Sequence, residues 1–160
     1  HFDLIDVLDE LPRYVKAKKI VLIGSSFGGP AVIMASRDPR VSKAIAISPV
    51  IDWNAPSKEE PMPQFRADMK KYYSMVYRTT HWDKLGKGDF YTPAVDTTDG
   101  SKIMIIHAMD DGVVRAKEVL RFAHDTHSTL IKLSRGGHFS SSTLMTPRIW
   151  KRVSAFLRAK

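Results

Sequence analysis

A serine, an aspartate and a histidine each follow a different apolar segment of this 160-residue chain. The segment Gly24–Gly28 has the pattern G-x-S-x-G with Ser26 at its centre, directly after the apolar run Ile20–Ile23. A serine hydroxyl is a weak nucleophile on its own, so it needs a base nearby and an acid that orients the base. His138 and Asp111 are the side chains that we expect to fill these two roles for Ser26.

The glycines around Ser26 indicate a very tight turn between a strand and a helix. Such a turn lifts the hydroxyl above the edge of a sheet and places it at the positive end of the following helix. The backbone N–H of Phe27, the next residue, is then expected to contribute to an oxyanion hole. A glycine turn between strand and helix can also bind phosphate, so the motif alone leaves that alternative open.

The acid and the base lie in two further loops. Asp111 belongs to the segment HAMDDGVV (residues 107–114) and His138 to GGHF (residues 136–139), each after an apolar run. Parallel sheets collect functional side chains at the carboxyl ends of their strands, where both segments would lie. Asp110 directly precedes Asp111 and is the second candidate for the acid.

Apolar periodicity predicts the elements that position these side chains. Continuous apolar runs predict strands at residues 20–23, 43–48, 102–107 and 129–133, and helical spacing predicts helices at residues 3–11, 30–36, 115–127 and 147–159. Strands that alternate with helices are typical of an α/β fold with a parallel sheet. We therefore predict one three-layer α/β domain over residues 1–160, with a mainly parallel sheet.

A long insertion, from about residue 52 to residue 101, separates the second and third predicted strands. It contains eight of the aromatic residues in a chain with 3 Trp, 5 Tyr and 7 Phe. Because structureless loops of this length are rare in compact domains, we predict a helical cap with a helix near residues 64–78. Trp53, Tyr73 and Trp82 are its expected substrate contacts, although the same aromatic residues would also serve in core packing.

The three motifs together resemble those of the α/β-hydrolase superfamily, in which serine, acid and histidine follow in this chain order. HAMDDGVV resembles the H-G-x-x-D-x-x-V pattern of prolyl-oligopeptidase-like and related esterase members, with Ala108 in place of the glycine. The resemblance implies a serine hydrolase with Ser26 as nucleophile, His138 as base and Asp111 as acid. A carboxylesterase for apolar or aromatic esters is the first expectation. A peptidase of the prolyl-oligopeptidase-like type and a non-catalytic binding module are the alternatives.

The resemblance covers only the C-terminal part of the hydrolase fold. Members typically carry several more strands before the helix that precedes the serine turn, together with the loop that supplies a second oxyanion donor. Without them, the strand at residues 20–23 would have a bare edge with unpaired backbone groups. We expect a longer protein, a dimer or a second chain to cover this edge, or the activity to be poor.

Charge and composition limit the partners. The net charge is +8, but the basic residues are scattered, so we expect neither nucleic acid nor membrane to bind. No apolar stretch approaches the roughly 20 residues that a membrane span needs. The chain has no cysteine, which excludes disulfides and thiolate metal sites and suits a cytoplasmic protein. The expected partner is a small-molecule ester or peptide substrate, with no metal or organic cofactor.

Overall fold

The computed structural model describes residues 2–52, 71, 92–138 and 144–159. Within them, a single parallel sheet has the strand order β1-β2-β3-β4. The strands are β1 (Ile20–Ser25), β2 (Val41–Ile47), β3 (Ile103–Ala108) and β4 (Thr129–Leu133). The helices are α1 (Phe2–Glu10), α2 (Gly28–Ala35), α3 (Ala116–Asp125) and α4 (Pro147–Arg158), and short 3-10 turns occupy Leu11–Arg13 and Gly100–Lys102.

Helices pack on both faces of the sheet, because successive side chains of each strand point to opposite faces. On one face, Ile33 of α2 and Phe122 of α3 belong to the cluster that contains Ile105 of β3. On the other face, Val153 of α4 belongs to the cluster that contains Ile106 of β3. The predicted three-layer α/β fold with a parallel sheet is confirmed.

Two helices differ from the prediction by two residues at one end. Helix α2 begins at Gly28 rather than Pro30, so Pro30 lies in its first turn. Proline is tolerated there because the first N–H groups of a helix have no acceptor within the helix. Helix α3 ends at Asp125, two residues earlier than predicted, because His127 has a φ of 55° and cannot continue the helix.

Most of the predicted cap, together with its helix near residues 64–78, falls outside the described residues. The same holds for Trp53, Tyr73 and Trp82. The described part of the insertion, from Thr92 onwards, leads into β3 through the turn at Gly100–Lys102.

Arg40 ties α1 to the turn between α2 and β2. Its guanidinium donates to the Leu8 carbonyl at 2.9 Å and contacts the Asp9 carboxylate at 2.8 Å. The same group contacts Asp38 at 2.6 Å and, by hydrogen bonding, lowers the pKa of Asp38 from 3.8 to about 2. The last carbonyls of a helix lack hydrogen-bond partners within it, and Arg40 supplies a donor for one of them at the C-terminal end of α1.

Strand β1 forms one edge of the described sheet. Val21 and Ile23, on one face of this strand, are 38% and 58% exposed. Ile23 pairs in register with the fully buried Ile45 of β2, which belongs to the cluster under α4. Helix α4 therefore covers β2 but leaves the same face of β1 open. None of the helices in the described ranges combines the length and apolar character that a bilayer span requires.

Candidate active site

Ser26 occupies a strained turn between β1 and α2. Its φ is 53°, in the left-handed region that few residues other than glycine adopt. The neighbouring strand holds the turn, because the Ser26 N–H donates to the Ile47 carbonyl at 2.9 Å. The Ser26 carbonyl accepts from the Gly29 N–H at 3.0 Å and from the Val50 N–H at 3.3 Å. The end of β2 thus fixes the conformation that presents the hydroxyl.

The two glycines of the G-x-S-x-G motif have different surroundings. A Cβ atom on Gly24 would collide with the carbonyl oxygen of Gly28 and crowd Val32. A Cβ atom on Gly28 would meet no atom within 4 Å. The close approach of β1 to α2 therefore requires a glycine at position 24 and places no such demand on position 28.

Asp111 lies in the loop after β3, and its side chain is completely buried. Its Oδ1 atom accepts hydrogen bonds from the backbone N–H groups of Val113 and Val114, both at 2.9 Å. These two donors fix the plane of the carboxylate. Its Oδ2 atom lies 3.0 Å from Nδ1 of His138.

His138 joins the acid to the serine. Its Nδ1 contacts the Asp111 carboxylate, and its Nε2 lies 2.9 Å from Oγ of Ser26. A carboxylate only accepts hydrogen bonds, so Nδ1 is the donor, and in a neutral ring Nε2 accepts the Ser26 hydroxyl. The structure thus brings the three predicted side chains into one hydrogen-bonded chain, with the imidazole only 11% exposed.

Asp110, the second candidate for the acid, points to a different partner. Its Oδ1 atom accepts the backbone N–H of Gly137 at 2.9 Å. The two adjacent aspartates therefore both contact the loop of His138, one through the imidazole and the other through the backbone. The resemblance to H-G-x-x-D-x-x-V favours Asp111 as the acid, but no feature of the sequence predicts the contact of Asp110 with Gly137.

His107 is a buried histidine beneath the site, and the sequence predicts that it ends the third strand and orients the loop of Asp111. It is fully buried at the end of β3, and in the described part of the chain neither ring nitrogen has a hydrogen-bond partner. Burial lowers the pKa of His107, the charge of nearby Asp111 opposes this shift, and His138 acts in the same direction as burial.

Phe27 is the residue that precedes the first turn of α2, and it has helical dihedral angles. Its backbone thus lies at the N-terminal end of α2, next to Ser26, and its side chain is 39% exposed. No group of three or more His, Asp or Glu side chains that could hold a metal ion occurs in the described ranges. The absence of a cofactor stays a prediction.

The sheet, the turn at Ser26 and the order of the three side chains define an α/β-hydrolase fold. The sequence matches the prolyl oligopeptidase family over residues 2–158, and the chain belongs to that family. The predicted membership of the α/β-hydrolase superfamily is thereby confirmed. A search among curated proteins found no significant match.

Several solved structures share this fold. An esterase of Pyrococcus furiosus aligns with a TM-score of 0.63 and 19% identity, over 98% of this chain and 60% of its own. A meta-cleavage product hydrolase from Pseudomonas fluorescens aligns with a TM-score of 0.59 and 15% identity, over 96% of this chain and 68% of its own. An acylaminoacyl peptidase of Pyrococcus horikoshii aligns with a TM-score of 0.58 and 15% identity, over 96% of this chain and 25% of its own.

Proposed function

We propose that the chain carries the catalytic centre of a serine hydrolase that works by acyl transfer. The observation that carries this proposal is the continuous hydrogen-bonded chain from Ser26 through His138 to Asp111. Nucleophile, base and acid in this arrangement are the combination that turns a serine hydroxyl into an effective nucleophile.

In the first half-reaction, Oγ of Ser26 attacks the substrate carbonyl carbon while its proton passes to Nε2 of His138. The carbonyl π electrons move to oxygen, and the Phe27 N–H donates to this oxyanion. When the tetrahedral intermediate collapses, the bond to the leaving group breaks, and His138 returns its proton to that group. The product of this half-reaction is an ester of Ser26.

In the second half-reaction, His138 removes a proton from water, which attacks the ester of Ser26. When the second intermediate collapses, the bond between the acyl carbon and Oγ breaks, His138 returns its proton to Oγ, and the carboxylic acid is released. Asp111 stabilises the imidazolium in both steps and keeps Nδ1 as the donor. Its two backbone contacts, to Val113 and Val114, hold the carboxylate in place for this task.

For the substrate, we propose apolar or aromatic carboxylic esters. The aromatic residues of the segment 52–101, including Trp53, Tyr73 and Trp82, support this choice by their composition. A peptidase is the second candidate, and membership of the prolyl oligopeptidase family favours it. Turnover of p-nitrophenyl esters of increasing acyl length, compared with N-acyl peptide anilides, separates the two substrate classes.

The first experiment is covalent labelling with a fluorophosphonate, followed by intact mass spectrometry. Wild-type protein should gain one probe adduct, and Ser26→Ala should gain none because the nucleophile is missing. Ser25→Ala, at the last residue of β1 and directly before Ser26, is the matched control and should label normally. A labelled Ser26→Ala protein would contradict the mechanism. A folded wild-type protein that never labels would favour a non-catalytic binding module.

A further inference from the structure

Asp110 connects the two loops that carry the acid and the base. Its carboxylate accepts the Gly137 N–H across a sequence separation of 27 residues. The contact is not needed to pair the imidazole with an acid, because Asp111 does so directly. The contact between Asp110 and Gly137 therefore needs a separate explanation.

The contact holds the peptide that immediately precedes His138. Gly137 has a φ of 57°, and Gly136 stands before it, so the backbone here has unusual conformational freedom. Among the described residues, the bond to Asp110 is the only hydrogen bond that either glycine makes. Without it, neither glycine would have a hydrogen bond within that part of the structure.

The imidazole must reach two partners at once, at 3.0 Å to Asp111 and at 2.9 Å to Ser26. A displacement of about 1 Å in such a site can reduce the rate by about 100-fold. We infer that Asp110 is a positioning residue of the proposed serine hydrolase: its carboxylate anchors the Gly137 peptide, so that His138 spans Asp111 and Ser26. This inference rests on the proposed function for its kinetic consequence, but not for the contact itself.

The alternative is that Asp110 acts through its negative charge on the imidazolium. Asp110→Asn and Asp110→Ala distinguish the two roles, because both remove the charge but only Asn keeps an oxygen that can accept the Gly137 N–H. Any effect of charge is common to both variants. An effect of the hydrogen bond is confined to Asp110→Ala.

The kinetic test uses hydrolysis of p-nitrophenyl butyrate. We expect Asp110→Ala to lower kcat by about 10- to 100-fold with little change in KM, because the lost contact displaces His138, which acts in the chemical step. The kcat of Asp110→Asn should stay within about threefold of the wild-type value, because the amide oxygen can still accept the Gly137 N–H. Asp6→Ala, which removes an exposed carboxylate from α1, is the matched control and should leave kcat unchanged.

Nuclear magnetic resonance tests the contact without any turnover. The Gly137 amide should exchange with solvent at least about tenfold faster in Asp110→Ala than in wild type or Asp110→Asn. The low-field proton on Nδ1 of His138 should broaden or disappear only in Asp110→Ala.

Each outcome decides the inference. Equal losses of kcat in Asp110→Ala and Asp110→Asn would show a charge effect and would overturn the inference. An unchanged kcat in Asp110→Ala, or a loss of stability alone, would also overturn it. If wild type neither turns over nor labels, the proposed function fails. The resonance measurements then decide: unchanged Gly137 exchange and an unchanged Nδ1 proton in Asp110→Ala would overturn the positioning role as well.

Discussion

His138 and His107 differ in their hydrogen-bond partners. His138 makes hydrogen bonds through both ring nitrogens, whereas His107 is fully buried and neither of its nitrogens has a partner in the described part of the chain. Burial disfavours the charged form of an imidazole, and this lowers the pKa of His107. A neutral His107 lies beside Asp111 and leaves His138 as the imidazole that the carboxylate contacts.

We expect His107 to make folding stability depend on pH. In the unfolded chain its pKa has the ordinary value of 6.5, and in the folded protein it is lower. As the pH falls below 6.5, the unfolded state therefore binds more protons than the folded state, and the free energy of unfolding should decrease. Above pH 6.5, His107 should not change the free energy of unfolding. One such proton contributes a slope of at most about 1.4 kcal/mol per pH unit.

Urea denaturation between about pH 7.5 and pH 5 measures this slope. His107→Phe, which cannot bind a proton, should have a smaller slope than wild type. Ile131→Val is the matched control, because it also changes a fully buried strand residue but removes no proton-binding group, and it should keep the wild-type slope. An identical slope in wild type and His107→Phe would contradict the prediction.

At the scale of elements, the approach of β1 to α2 decides where the Ser26 hydroxyl lies. Gly24 at the end of β1 contacts the carbonyl of Gly28 at the start of α2 so closely that a side chain cannot fit. The turn between them is held by backbone bonds from Ser26 to Ile47 and Val50. The nucleophile is therefore positioned by the packing of a strand, a helix and the end of the neighbouring strand.

We expect Gly24→Ala and Gly28→Ala to have opposite consequences. Overpacking at position 24 should destabilise the protein by about 1–3 kcal/mol and displace Ser26. The same change at position 28 meets no atom within 4 Å. Because alanine is the better helix former, Gly28→Ala should leave stability unchanged or raise it by up to about 1 kcal/mol.

Urea denaturation and the rate of fluorophosphonate labelling measure the two effects. Gly24→Ala should label at least about 10-fold more slowly than wild type, and Gly28→Ala should label at the rate of wild type. Equal behaviour of the two variants would show that the close contact at Gly24 does not position the nucleophile.

At the scale of the whole molecule, the sheet is covered unevenly. Helix α4 covers Ile45 of β2, but Ile23, its neighbour in register on β1, is 58% exposed. Strand β1 also forms one edge of the described sheet. An exposed edge with apolar side chains is a surface on which another strand can pair.

We expect this chain, when it is studied alone, to associate through β1. Sedimentation velocity should show species larger than a monomer whose fraction rises with concentration, and Ile23→Lys should reduce that fraction at least about threefold, by placing a charge on the contact. Val7→Lys is the matched control, because Val7 on α1 is equally exposed (57%), and it should not reduce the fraction of larger species. A wild-type chain that stays monomeric throughout would contradict the prediction.

Much of the fold could be predicted from local patterns. The run Ile103–Ile106 of β3 is apolar without interruption, as is typical of a parallel strand covered on both faces. The run Ile20–Ile23 of β1 is equally apolar, although Val21 and Ile23 are exposed. The ends of helices were harder, because the end of α3 depends on the left-handed conformation of His127. The residues Trp53, Tyr73 and Trp82 stay predictions, since they lie outside the described residues.

By itself, the sequence determined the types of the site residues, their order along the chain and their places after three strands. These features follow from local composition and spacing, which are properties of neighbouring residues. The resemblance already favoured Asp111 as the acid, and only the tertiary structure decided that Asp110 contacts the Gly137 backbone. Two adjacent residues have nearly the same place in the sequence pattern, so the pattern does not predict where each side chain points. In a loop, that direction is set by contacts with distant segments. The same reason explains why His107 is buried without partners and why Gly24, but not Gly28, must lack a side chain.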